Sequence, residues 1–157
     1  MNDQELNLQL KKLVANERTL LTEILYNIAE IDRRKLFLRM RYPSLFEYLV
    51  KEIGYSAGSA QRRIDAARLM LRVPELAQKI ERDAISLAQI SKMQRACRQV
   101  RKESGKTVGM EVQRSVLEKM QGAGEQKTDL ILAQEFNVVP KVVEPKSTAT
   151  VEVTLKR

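Results

Sequence analysis

Apolar residues recur at intervals of three and four along most of this chain, which is the spacing of an α-helix with one buried face. The pattern runs from Asp3 to about Met40 and predicts a long first helix, with a candidate break near Asp32. We expect this helix to pack on the rest of the chain, with a second copy as the alternative, because Glu17 interrupts a near-heptad run that is too short for a coiled coil. The apolar stripe contains Leu6, Leu10, Leu13, Leu20, Leu21, Ile24, Leu25, Ile28 and Ile31.

Two helices joined by a tight turn are predicted in the middle of the chain. Ser44 and Glu47 have the spacing of a capping box at the start of the first helix, and Gly54 suits the left-handed residue that ends it. Ser56 is placed to cap the second helix. The apolar positions expected inside are Leu45, Tyr48, Leu49 and Ile53, then Ile64, Ala67, Leu69 and Leu71. The positions expected to point mostly outward are Gln61, Arg62, Asp65, Arg68 and Arg72.

Two more helices are predicted beyond this pair. Pro74 is well placed as the first residue of a helix that runs through Arg82. Ser86 and Gln89 then form a second capping box, which opens a helix through about Lys102. The apolar positions expected inside the second of these helices are Leu87, Ile90, Met93, Ala96, Cys97 and Val100.

The last third of the chain gives weaker signals. Gly105 ends the preceding helix, and Thr107 is expected to cap another. The apolar positions of that helix are Val108, Val112, Val116, Leu117 and Met120. Residues 123–157 are predicted to form a linker and a C-terminal strand, or the start of a missing domain, although the stretch DLILAQEF fits a helix or a strand. Residues 148–155 alternate polar and apolar as a strand with no partner strand in the sequence, so a tail or a dimer contact is also open.

Together these elements predict the fold class. We expect an all-α, multi-helix domain over residues 1–122 that contains a helix-turn-helix at about residues 44–72, followed by a C-terminal extended tail or strand.

Composition narrows the function classes. The 157 residues are 43% hydrophobic and 31% charged, contain no long apolar run, and begin without an export signal, so a soluble cytoplasmic protein is expected. The chain has no histidine, which removes the usual general base and the nitrogen ligands of zinc. Cys97 is expected to pack in the core, and GKTVG is only the tail of a phosphate loop. We therefore expect no enzyme activity, no metal and no cofactor.

The basic charge lies in the centre of the chain. The net charge is +8, with +6 over residues 31–72 and +5 over residues 79–106, whereas residues 1–30 carry −2. Such a distribution is typical of nucleic-acid binders, because cations that neutralise phosphates release condensed counterions. The low aromatic content, 4%, argues against stacking on single-stranded bases and favours duplex DNA. A merely solvated basic surface is the alternative.

The helix-turn-helix hypothesis assigns roles to particular residues. The start of the second helix would enter the major groove, so Ser59, Gln61 and Arg62 are expected to meet base edges. The residues expected to contact phosphates are Lys51, Arg63, Arg68 and Arg72, together with Arg95, Arg98 and Arg101. A plain helical hairpin whose arginines are only solvated remains the alternative. A second candidate, ELAQKIERDAISLAQISKM, faintly resembles the DNA-binding region of chromosome-partition proteins.

A broader resemblance covers roughly Leu20 to Arg101. The stretches SLFEY, GYS and RRIDAARL resemble the N-terminal helical region of a group of bacterial HNH endonuclease-like proteins. In that group the region precedes a separate nuclease domain, and TVEVTLKR resembles the start of the segment between the two. The His-Asn-His metal site is absent from this chain, because the chain has no histidine. The resemblance therefore implies the non-catalytic N-terminal part of such a protein.

These observations lead to one expected function and its rivals. We expect a DNA-binding helix-turn-helix module that delivers a nuclease or acts alone as a regulator, with double-stranded DNA as its partner and a homodimer if it reads sequence. No membrane or small-molecule partner is evident. The alternative is a protein-interaction or assembly domain with an incidental basic surface. A catalytic fragment completed by an adjoining reading frame is the third hypothesis.

Overall fold

A computed structural model of the protein describes residues 1–136, and every regular element within that range is helical. The predicted all-α class is confirmed. Among these residues no helix combines the length and the apolar character needed to cross a bilayer. The predicted C-terminal strand over residues 148–155 lies outside the described residues.

The chain divides into two compact units, the first comprising Met1–Leu87 and the second beginning at Ala88. The elements of the first unit are α1 (Asp3–Arg34), α2 (Leu36–Arg39), α3 (Leu45–Glu47), a π-helix (Tyr48–Ile53), α4 (Ala57–Arg72) and α5 (Leu76–Glu81). The elements that follow are α6 (Leu87–Ser104), α7 (Met110–Met120) and α8 (Glu125–Phe136). The domain boundary that the sequence places at residue 122 stays a prediction.

Helix α1 begins and ends at well-defined caps. Asn2 and Glu5 form a complete capping box, in which the backbone N–H of each donates to the side-chain oxygen of the other at 2.8 Å. Lys35 adopts a left-handed conformation with φ of 53° and ends the helix. The helix therefore breaks three residues after the candidate break at Asp32, and the chain resumes as the short helix α2, which ends one residue before Met40.

Helix α4 lies at the centre of the first unit, where it packs on α1, α3 and α5. Ser56 caps it as predicted, because the Ser56 hydroxyl accepts a hydrogen bond from the Ser59 backbone N–H at 3.2 Å. Two of the predicted positions are wrong: Asp65 is buried and Leu71 is 60% exposed. Because neighbours surround α4 on several sides, its buried face is wider than one stripe, and its exposed residues are confined to the first turns and to a strip near the end, where Leu71 lies between Arg68 and Arg72.

The π-helix before α4 explains another departure from the predicted pattern. Gly54 ends it with φ of 96°, as expected of the left-handed residue. The predicted burial of Ile53 is wrong, because its side chain is 50% exposed. A π-helix has more residues per turn than the 3.6 assumed in the pattern, so later positions rotate away from the buried stripe. The Ser44 hydroxyl accepts from the Glu47 backbone N–H at 3.1 Å, which is one half of the predicted capping box.

In the second unit, buried polar contacts join the three helices. The side-chain amide of Gln89 donates to the Met120 carbonyl at 2.8 Å and to the Thr128 hydroxyl at 3.0 Å. Lys92 pairs with the largely buried Asp129 at 2.8 Å. These contacts fix α6 against the end of α7 and the start of α8. The stretch DLILAQEF, whose sequence fits a helix or a strand, belongs to α8.

Helix α7 starts later than predicted. Gly109 is its N-cap residue, so the prediction that Thr107 caps it is wrong. The buried face consists of Gln113, Val116, Leu117 and Met120. Val112 lies outside this face and is exposed. The buried positions follow the helical spacing from Gln113, and Val112 is the residue just before Gln113, so its side chain points to a different side of the helix.

Candidate nucleic-acid interface

The ten predicted site residues fall in both units. Lys51 lies in the π-helix, and Ser59, Gln61, Arg62, Arg63, Arg68 and Arg72 lie in α4. Arg95, Arg98 and Arg101 lie in α6. The predicted site residues therefore form one group in the first unit and one in the second.

The start of α4 presents a small exposed surface. Ala57, Gly58, Gln61 and Arg62 are all exposed there. The Arg62 guanidinium lies over the first turn, since Nη1 is 3.3 Å from the position that a Cβ on Gly58 would take. Arg62 has no ion-pair partner among residues 1–136. Arg62, the charged residue among those predicted to contact base edges, is therefore unpaired within residues 1–136.

The other predicted residues at the start of α4 are held by local contacts. Arg63 stacks on Tyr55, with its guanidinium carbon 4.5 Å from the ring centroid. Its Nη1 donates to the Ser59 carbonyl at 3.2 Å and also to the Ser59 hydroxyl. Gln61 Nε2 donates to the buried Asp65 at 3.1 Å. These contacts fix the shape of the turn and of the first helical turns.

Two of the predicted phosphate ligands form ion pairs inside the first unit. Arg68 donates from Nε and Nη2 to the two carboxylate oxygens of Asp32, at 2.9 and 3.2 Å. The hydrogen bond from Arg68 to Asp32 raises the pKa of the Arg68 guanidinium above its usual value. Lys51 pairs with Glu47 at 3.0 Å. Arg72 is exposed at the last turn of α4. The roles of Arg63, Arg68 and Lys51 as phosphate ligands stay predictions. Each of these side chains also contacts another residue of the first unit.

Helix α6 carries a group of exposed cations. We define the α6 basic surface as Arg95, Arg98, Arg101 and Lys102, all of which are exposed. The helical spacing places Arg95, Arg98 and Lys102 on the side opposite the buried Ile90, Met93 and Ala96, and Arg101 lies at the edge of that side.

Three members of the α6 basic surface carry unpaired charge. Arg95, Arg101 and Lys102 have no ion-pair partner within the range that the structure describes. The one carboxylate of α6, Glu103, accepts a hydrogen bond from Gln99 at 3.1 Å.

Lys102 is a candidate that the predicted set missed. It lies seven residues after Arg95 and four after Arg98, so it shares their face of the helix. This spacing is visible in the sequence, and grouping the cations of α6 by their helical position includes Lys102 in the predicted set.

The first turns of α6 are largely buried. Gln89, Ile90 and Ser91 are all buried, and the Gln89 amide is occupied by carbonyl and hydroxyl acceptors of the second unit. In a helix-turn-helix, the N-terminal residues of the second helix contact base edges. In the candidate ELAQKIERDAISLAQISKM, the exposed residues at that position are Ser86 and Ala88, and the three residues that follow are buried. Over residues 1–136, no group of carboxylate and thiol side chains is arranged to hold a metal ion.

Comparison with known proteins gives no relative: the chain matches no family model, no curated protein and no solved structure. The resemblance to the N-terminal region of HNH endonuclease-like proteins thus depends on the sequence motifs alone and stays a prediction.

Proposed function

We propose that this chain binds duplex DNA through a helix-turn-helix module, with the α6 basic surface neutralising backbone phosphates. The observation that carries the proposal is the α6 basic surface itself: four exposed cations on one side of a helix, three of them without an ion-pair partner among residues 1–136. Cations that are already paired would have to break those pairs to bind phosphate, whereas these three need not.

The size of the α6 basic surface suits a nucleic-acid backbone. Arg95 and Lys102 are seven residues apart, or about 10 Å along the helix axis at the α-helical rise. Duplex DNA carries one phosphate per roughly 3.4 Å of axis on each strand, so the surface spans about three phosphates. Helix α6 contains no aromatic residue on which an unpaired base could stack. This favours a duplex over a single strand.

The start of α4 is the part of the helix-turn-helix that we propose contacts base edges in the major groove. Its exposed residues include the small Ala57 and Gly58, which permit close approach to a groove, and Arg62, which can donate two hydrogen bonds to guanine. Gln61 is exposed beside them and is oriented by Asp65. The resemblance to HNH endonuclease-like proteins suggests that such binding delivers a nuclease domain to DNA. The alternative is that the chain acts alone as a DNA-binding regulator.

Fluorescence anisotropy of a labelled duplex at several salt concentrations tests the proposal. The test variant is Arg95→Gln/Arg101→Gln/Lys102→Gln. We expect the wild type to bind with an affinity that falls steeply with salt. In the variant, the slope of log K against log salt should become shallower by about one for each phosphate that the protein no longer neutralises.

The matched control is Arg39→Gln/Arg82→Gln/Lys127→Gln, which removes the same charge from exposed positions outside α6. We expect this control to keep a slope close to that of the wild type. Equally weakened binding in both variants would mean that only net charge matters, and no binding by the wild type at about 50 mM salt would refute the proposal.

A further inference from the structure

The first half of α1 has an apolar face that nothing covers within the described chain. Residues 3–17 contain no buried side chain, and Leu6, Leu10 and Leu13 are each more than half exposed. Within the described residues, the predicted packing on the rest of the chain is confined to the second half of this helix. Helices of this kind gain most of their stability from burying an apolar face. A partner for that face is thus expected.

The second half of α1 forms one wall of an apolar groove. The groove has a volume of about 320 Å³, and its lining includes Leu20, Ile24 and Ile31 of α1 together with Ile53 and Tyr55. Leu20 and Ile24 lie on the same side of α1 as Leu6, Leu10 and Leu13, with Glu17 at the intervening position. We call this stripe, which Glu17 interrupts once, the α1 seam. The exposed side chain of Ile53, which the sequence pattern does not predict, contributes to the groove.

We propose that a second copy of this chain occupies the groove, with the two α1 helices antiparallel about a two-fold axis. In this pairing the exposed first half of each α1 lies in the groove beside the second half of its partner. Leu6 then lies opposite the partner's Ile31, and Leu13 lies opposite the partner's Ile24. A two-fold interface buries the same surface on both copies, so one contact covers both the exposed stripe and the groove.

In the antiparallel register, opposite charges along α1 face each other at two places, and one pair of like charges, Glu5 and the partner's Asp32, faces at a third. Asp3 lies opposite the partner's Arg34, next to further cations at positions 33 and 35. Lys12 lies within one helical turn of the partner's Glu23, on the same side of the seam, and Glu23 has no ion-pair partner among residues 1–136. A parallel pairing would instead place Glu17 opposite Glu17 and Asp3 opposite Asp3, which is unfavourable. Arg34 also pairs with Glu30 of its own helix, so the contact between Lys12 and the partner's Glu23 is the one that favours the antiparallel direction most clearly.

Sedimentation equilibrium of the full chain without DNA tests the pairing. The seam variant is Leu6→Glu/Leu13→Glu, and the matched control is Leu8→Glu/Ala15→Glu, which adds the same charges to exposed positions of α1 outside the seam. We expect twice the chain mass of 18.0 kDa for the wild type and the control, and the single-chain mass for the seam variant. Circular dichroism should show that all three are folded, because none of these side chains is buried.

A charge exchange tests the antiparallel direction. Lys12→Glu should weaken dimerisation, and adding Glu23→Lys should restore it, because the pair is reformed with reversed signs. Failure of the second change to restore the dimer would overturn the antiparallel arrangement.

Other occupants give different results, and each would overturn the proposal. A monomeric wild type at about 100 µM whose melting temperature falls in the seam variant would show that this chain's own residues beyond 136 cover the seam. A monomeric wild type with an unchanged melting temperature in the seam variant would point to a different protein. These measurements contain no DNA, so their outcome is independent of the proposed function.

Discussion

Arg68 and Asp32 show how a single ion pair can join two helices that are distant in the sequence. The two hydrogen bonds at 2.9 and 3.2 Å connect the middle of α4 to the end of α1. This geometry needs the planar fork of arginine, which lysine does not provide. The side chain of Arg68 is about half exposed, so water screens the pair and its contribution is modest.

We predict that Arg68→Ala lowers the free energy of unfolding by about 0.5–1 kcal/mol, because a partly exposed pair contributes on that order. Arg68→Lys should recover only part of that decrease. Urea denaturation gives the comparison, with Arg62→Ala as the control, since Arg62 is exposed and unpaired among residues 1–136. An Arg68→Ala variant as stable as Arg62→Ala would show that the pair does not join the helices.

Glu30 provides a pH-dependent contact at the end of α1. Hydrogen bonds from Arg33 and then Arg34 lower the pKa of the Glu30 carboxyl to about 2. The pKa in the unfolded chain is about 4.3, so the stabilisation by Glu30 is fully present above that pH. It is lost as the pH falls from there through about 2.

We predict that a carbon-detected NMR titration places the Glu30 midpoint well below those of the exposed glutamates. Arg33→Gln/Arg34→Gln should return it to the ordinary range, because both hydrogen bonds are removed. A wild-type midpoint near 4.3 would contradict this account of the helix end.

At the scale of elements, the caps and turns that depend on local chemistry could be predicted from the sequence. Ser56 caps α4 through a bond to a residue three positions away, and Gly54 takes the left-handed conformation that suits glycine. Both signals lie within a few residues of the feature they produce. The helical nature of most of the chain follows in the same way from its three-and-four spacing.

The burial of particular positions could not be predicted from one helix at a time. Asp65 is buried because α1, α3 and α5 all pack on α4. The number of helices that pack on α4 cannot be predicted from the sequence of α4 itself. Ile53 is outside because a π-helix changes the residue count per turn. Thr107 looks like a cap, but α7 starts at Met110 after Gly109. Each error follows from packing or geometry beyond the local pattern.

Gln89 joins α6 to the turn between α7 and α8. The two N–H groups of its buried amide are shared among the carbonyls of Met120 and Ala123 and the hydroxyl of Thr128, a residue with no exposed surface. Removing the amide leaves those acceptors buried without this donor. Buried acceptors that lose their partner cost about 1–3 kcal/mol.

We therefore predict that Gln89→Ala lowers the free energy of unfolding by roughly 2 kcal/mol. The control is Gln99→Ala, in the same helix but exposed, which should change stability by less than about 0.5 kcal/mol. Urea denaturation measures both. A small effect of Gln89→Ala would mean that water or a neighbouring group replaces the amide.

At the scale of the whole molecule, the sequence predicts the amount of basic charge but not which cations are free. Lys51, Arg63 and Arg68 are as strong candidates as Arg95 in the sequence, yet each makes an internal contact. The partner of Arg68 lies 36 residues away, and such pairs follow only from the folded arrangement. The exposed first half of α1 has the same origin, since its pattern is that of an ordinary packed helix.

The most direct test of the proposed DNA binding is a ¹H–¹⁵N NMR titration of the full chain with a short duplex at low salt. We expect the largest amide shift changes along residues 95–102 of α6, with smaller changes at the start of α4, and we expect them to vanish as salt is raised. Changes confined to other helices, or no salt-sensitive change at the α6 basic surface, would contradict the proposed interface.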